Sequence, residues 1–130
     1  MPYSLKIAEK DVFGKNKFIN KKGNTECAVF IQQATGAPRT EDWKEGLKVS
    51  DAKAGQIARG TAIATFDDNG KFPTDTLGKH AAIYLSQNTA GIVVLDQWDS
   101  QQEVKQRTIW FNRPQGTRRS NDADTFYVIE

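Results

Sequence analysis

The sequence predicts an α+β fold, with N-terminal helices packed on a roughly five-stranded antiparallel sheet. Two observations predict the α+β class. Helix-like segments occupy the first third of the chain, and strand-like segments follow, joined by short polar loops. A third concerns chemistry. The only cysteine, the only histidine and a well-spaced aspartate fall on three separate predicted elements.

Residues 1–22 hold six lysines against Glu9 and Asp11 and read as a basic lead-in. Asn24-Thr25-Glu26-Cys27 then starts a helix. Asn24 or Thr25 suits the N-cap, Glu26 suits the positive end of the helix dipole, and Gly36 with Pro38 ends the element. The unbroken apolar run Ala28 to Ile31 implies burial around most of its circumference. Thr40 to Gly46 reads as a short second helix. Strands are expected over 57–66, 80–85, 91–98, 104–111 and 125–129. Asp67-Asp68-Asn69-Gly70 marks a turn.

The 130 residues suit one domain with a real core. A single cysteine excludes an internal disulfide and any multi-thiolate zinc site, and a single histidine excludes the paired-histidine metal motifs. No cofactor or metal is expected. No apolar stretch approaches a membrane span, and the N-terminus shows no secretory signal peptide. A net charge of +2 is too small to argue for nucleic acid, although the N-terminal lysines and the Arg113, Arg118, Arg119 cluster are locally basic.

Cys27 opens its helix, where aligned amides favour a thiolate and the first-turn N–H groups are free to bind an oxyanion. The plainer reading of Cys27 is a small buried hydrophobe. His80 opens a strand, so its ring can reach a cleft at the sheet end. If strands 80–85 and 91–98 form a hairpin with Leu85 opposite Gly91, His80 lies across from Asp96 on the same face. A one-residue slip would put Gln97 there instead. With that register, Asp96 orients the imidazole, and the other ring nitrogen faces Cys27, giving a nucleophile, base and orienter. Trp43, Tyr84, Gln97 and Trp98 are candidate substrate-binding residues, against their plainer role in packing.

The segment Gly23-Asn24-Thr25-Glu26-Cys27-Ala28-Val29-Phe30 resembles the G-x-x-x-C-x-x-F opening of NlpC-type and CHAP-type cell-wall peptidases. His80-Ala81-Ala82-Ile83-Tyr84-Leu85 is similar to their histidine strand, and Ile92 to Trp98 to the strand bearing the third residue. The resemblance covers about residues 23–111 and weakens over 38–60. Glu26-Cys27-Ala28-Val29 departs from the usual Asp-Cys-Ser-Gly of the NlpC subgroup, and Asp96 stands where that superfamily often has His, Asn or Glu.

The resemblance implies a papain-like fold of the NlpC/CHAP type and a cysteine amidase or endopeptidase, with Cys27, His80 and Asp96 catalytic and peptidoglycan stem peptides as substrate. The chain is also similar to small amidase effectors of bacterial type VI secretion. That similarity implies a protein cytoplasmic in its producer, exported without a visible signal peptide to a target periplasm, and countered by a cognate immunity protein. A non-catalytic cell-wall or nucleic-acid binding module on a similar fold remains the alternative.

Overall fold

The computed structural model describes residues 2–130. Its centre is a six-stranded sheet in the order β1-β6-β2-β3-β4-β5. The strands are β1 (Glu45–Lys48), β2 (Ala62–Thr65), β3 (Ala81–Gln87), β4 (Gly91–Asp96), β5 (Lys105–Trp110) and β6 (Phe126–Ile129). Every pairing between them is antiparallel. Among the described residues there is one α-helix, α1 (Cys27–Thr35).

Alternation along the strands divides the core in two. On one face, Ala62, Ala64, Ala81 and Ile83 pack with Phe30, Ile31 and Ala34 of α1. Alanine on neighbouring strands keeps that face shallow, so the helix seats close to it. Phe18 of the lead-in stacks on Phe30 with ring centroids 4.9 Å apart. On the other face, Ile63, Ala82, Val94, Ile109, Phe126 and Val128 are covered by Val49, Ile57 and Ala123, which lie outside the sheet strands.

Two expectations about elements are corrected. Thr40–Asp42 forms only a 3-10 turn, and the expected second helix gives way to β1, the strand that raises the sheet from about five to six. Gly46 had suggested a helix stop. Its role is close approach instead, because a Cβ there would lie 2.8 Å from the Val128 carbonyl oxygen. The expected strand over 57–66 shrinks to β2, with Ile57 instead buried against the second face. Gly36 closes α1, as expected. The N-cap, however, is Glu26, and neither Asn24 nor Thr25 caps the helix.

The β3–β4 register also differs from the one assumed. Gln87 pairs with Ile92 and Ser86 with Val93, then a bulge shifts the ladder so that Tyr84 pairs with Val94 and Ile83 with Leu95. One more step puts Ala82 opposite Asp96, with His80 two residues further along the same face. The assumed register was therefore off by two residues beside His80, an even shift that preserves the face. The bulge is decisive. Without it, the pairing at the hairpin end would bring Ile83 opposite Asp96 and turn the carboxylate toward α1.

The close approach at Gly46 gives a direct test of the β1–β6 edge. Gly46→Ala is expected to lower the unfolding free energy by about 1–3 kcal/mol in urea denaturation. An unchanged midpoint would show that the edge can relax freely.

Candidate active site

The site forms where the sheet ends. Helix α1 packs on one face, whereas His80 and Asp96 belong to the other. They meet because Cys27 is the first residue of α1 and His80 immediately precedes β3. Local bonds fix each member. The His80 backbone N–H donates to Thr65 Oγ1 at 3.0 Å, and the Thr65 N–H donates to the His80 carbonyl at 3.0 Å. The His80 ring lies edge-on to Trp98 and Phe126, with centroids 6.2 and 6.4 Å away.

His80 Nε2 is 2.7 Å from Asp96 Oδ2, and both side chains are buried. The Cys27 side chain is near enough to the same ring to raise its pKa. With Nε2 engaged by the carboxylate, Nδ1 is the nitrogen left for sulfur. Cys27 is only partly buried, whereas His80 and Asp96 are buried. Burial pulls the imidazole pKa down, but the Asp96 and Cys27 hydrogen bonds, with the charges of both groups, outweigh it. The net effect raises His80 from 6.5 to about 9. The ring is therefore an imidazolium at neutral pH.

A buried carboxylate needs compensation, and Asp96 receives it twice at one oxygen. Arg107 Nε donates to Asp96 Oδ2 at 2.6 Å, while Oδ1 is buried without a partner. Arg107 also donates to the Ser120 carbonyl at 2.8 Å and to Asn121 Oδ1 at 3.2 Å, and its guanidinium lies 5.4 Å from the Trp98 ring centroid. The sequence reading missed Arg107. Its signal was parity: Arg107 pairs with Val94, placing it on the Asp96 face one pleat away.

The helix start is anchored by the residues that follow Asp96. Gln97 Nε2 donates to the Phe18 carbonyl at 2.9 Å and the Glu26 carbonyl at 3.0 Å. Thr25 Oγ1 reaches the carbonyls of Trp98 at 3.3 Å and Asp99 at 3.2 Å. Asp96 and Gln97 thus project to opposite sides of one strand end. The first holds the histidine and the second holds the turn before the cysteine.

A cavity of about 310 Å³ adjoins His80, lined also by Lys79, Trp98, Arg107, Arg118 and Ser120. Gly78 lets the chain pass beneath the 118–120 segment. Its φ is +98°, and a Cβ would lie 3.0 Å from both Arg118 Cβ and Arg119 N.

Of the four candidate substrate-binding residues, only Trp98 is exposed at this cavity. Trp43 is corrected to a core residue, with Nε1 donating to the Pro38 carbonyl at 2.8 Å and its ring 4.9 Å from Phe72. Tyr84 is buried on the second face, its hydroxyl donating to Gln87 Oε1 at 2.6 Å. Gln97 is fully buried and serves as an anchor. Among the described residues, no group of three or more His, Cys, Asp or Glu is placed to hold a metal ion. None of the described helices is long and apolar enough to cross a membrane.

Comparison with known proteins gives a consistent result. The family model described as domesticated amidase effector 2 matches residues 6–129. The type VI secretion amidase effector 2 protein of Salmonella typhi is 35% identical over 121 residues, spanning 85% of this chain and 89% of that protein. The domesticated amidase effector 2 of Ixodes scapularis is 37% identical over 109 residues, spanning 81% of this chain and 70% of that protein. A solved structure, of type 6 secretion amidase effector 2, matches with a TM-score of 0.78 at 30% identity, covering 97% of this chain and 93% of that one.

The anchor role of Gln97 is testable. Gln97→Ala is expected to cost about 1–3 kcal/mol in urea denaturation, because it strips donors from two carbonyls. It is also expected to slow alkylation of Cys27 by iodoacetamide at pH 7. Wild-type stability and labelling would assign the Cys27 placement to other contacts.

Proposed function

The chain belongs to the domesticated amidase effector 2 family, and from that footing we propose that it is a cysteine amidase that cuts amide bonds in peptidoglycan stem peptides. The observation that carries this reading is the buried 2.7 Å contact between His80 and Asp96, with the partly buried Cys27 close enough to raise the pKa of the same ring. A buried, inert cysteine would have supported a binding module. A partly exposed cysteine beside an imidazolium favours nucleophilic catalysis instead.

In this mechanism Cys27, as thiolate, attacks the amide carbonyl carbon. The carbonyl oxygen becomes an oxyanion held by the Cys27 backbone N–H, which at the first position of a helix has no intrahelical acceptor. One such donor contributes about 10²–10³ in rate. His80 gives its proton to the departing amine as the C–N bond breaks and the thioester forms. Neutral His80 then takes a proton from water, which attacks the thioester and releases the free acid and the thiolate. Asp96 holds the ring with Nδ1 directed at sulfur, and Arg107 holds Asp96 in place. Trp98 forms the cavity wall beside the scissile bond.

By the same reading the protein is an antibacterial effector exported by type VI secretion, and its producer carries an immunity protein that blocks the cleft. The names of its relatives support the route, because the Salmonella typhi protein is a type VI secretion amidase effector.

Cys27→Ala is expected to abolish release of fragments from purified peptidoglycan, with circular dichroism unchanged. Mass spectrometry of the soluble muropeptides checks this and reads the bond cut; undiminished release by the variant refutes the nucleophile. The raised His80 value sets the alkaline limb. kcat/KM is expected to fall as pH rises through about 9, where the imidazolium loses its proton. Asp96→Asn removes an interaction that raises His80, so the limb is expected to move to lower pH. A limb unmoved in Asp96→Asn would detach that carboxylate from His80.

A further inference from the structure

The cavity beside His80 has a charge pattern that the hydrolytic steps do not use. Lys79 and Arg118 line it, are exposed, and among the described residues form no ion pair. Its third cation, Arg107, is already committed to Asp96. No acidic side chain lines the cavity. Asp75, whose carboxyl feels Lys79, is bonded to Arg119 at 2.7 Å. The close pass at Gly78 brings the backbones that carry Lys79 and Arg118 side by side at this cavity.

We infer that this cavity is a carboxylate-binding subsite, in which Lys79 and Arg118 select amide substrates carrying a free carboxylate next to the scissile bond. The inference rests on the amidase reading for its substrate class. A peptide offers carboxylates as its anions, and the planar guanidinium of Arg118 matches a carboxylate with two parallel hydrogen bonds. Lys79 adds a mobile point charge. The apolar wall of Trp98 and the buried His80 exclude water from one side, which strengthens such bonds relative to bulk solvent. The subsite also explains why two like charges line one cavity that has no acidic side chain in its wall. Their mutual repulsion is relieved when the anion arrives.

The test uses two synthetic peptides of one sequence, with the carboxyl group flanking the scissile amide either free or converted to carboxamide. The wild-type protein is expected to favour the free acid by about tenfold or more in kcat/KM, the range for charge-assisted hydrogen bonds. In Lys79→Gln/Arg118→Gln the ratio is expected to fall to within about twofold of unity, with Lys79→Gln alone in between. The remote Lys53→Gln is expected to keep the wild-type ratio. A second arm titrates the Cys27→Ala protein with both peptides, following backbone amide resonances at residues 78–80 and 118–120. Tighter binding of the free acid, lost in the double variant, supports the subsite whether or not either peptide is cut. Cleavage of both peptides at equal rates overturns the subsite and leaves the amidase reading standing. Selective binding without any cleavage overturns the amidase reading and leaves the subsite standing.

Discussion

One buried carboxylate oxygen governs the architecture of the site. Asp96 Oδ2 accepts from His80 Nε2 at 2.7 Å and from Arg107 Nε at 2.6 Å. An isolated carboxylate at zero exposure would be prohibitively costly, so the fold can bury Asp96 only with cations beside it. That requirement brings β3, β4 and β5 together at one point, and through Arg107 it reaches the 118–121 segment as well. The same requirement keeps His80 protonated against the desolvation that burial imposes. Breaking such a buried pair by removing one partner costs about 3–5 kcal/mol, so the contact is structural as well as chemical.

The strand end just past this carboxylate organises the other half of the site. Side chains alternate along an extended chain, so Asp96 and Gln97 point to opposite sides. Asp96 takes the histidine on one side, and Gln97 takes the Phe18 and Glu26 carbonyls on the other. The helix carrying Cys27 is thereby tied to the same strand end as the histidine, although the helix packs on the opposite face of the sheet. Thr25, bonded to the two carbonyls that follow Gln97, closes the tie. The bulge between Tyr84 and Ser86 supplies the remaining condition, since it sets which face Asp96 shares.

Much of this could be read from residue order, and the failures have physical causes. Periodicity and turn chemistry located β3, β4, β5 and β6 to within about two residues, because β3, β4 and β6 are largely apolar and β5 is flanked by Val104 and Phe111 and ends in Ile109 and Trp110. β1 escaped because a polar edge strand with a glycine at a close approach looks like the end of a short helix. The bulge escaped because nothing in the apolar pattern of 81–87 marks an extra residue. The pairing of His80 with Asp96 survived that error only because two changes of register combined to an even shift. Gln97 and Trp43, named as candidate substrate-binding residues beside a plainer role in packing, are both buried, and for one shared reason their sequence left the two roles open. A polar or aromatic residue near a site can as easily satisfy buried carbonyls or fill the core, and only coordinates separate these. Arg107 required the β4–β5 register, which the sequence does not specify.

Because His80 is the only histidine in 130 residues, its ring can be observed without assignment ambiguity. Nitrogen-15 NMR of the imidazole across pH 5 to 11, in the wild type and in Cys27→Ala, tests the central claim most directly. The account predicts both ring nitrogens protonated at pH 7, a wild-type transition near 9, and a lower transition once the sulfur is removed. A transition at or below the ordinary value of 6.5, unchanged in Cys27→Ala, would contradict the ion pair from which the account proceeds.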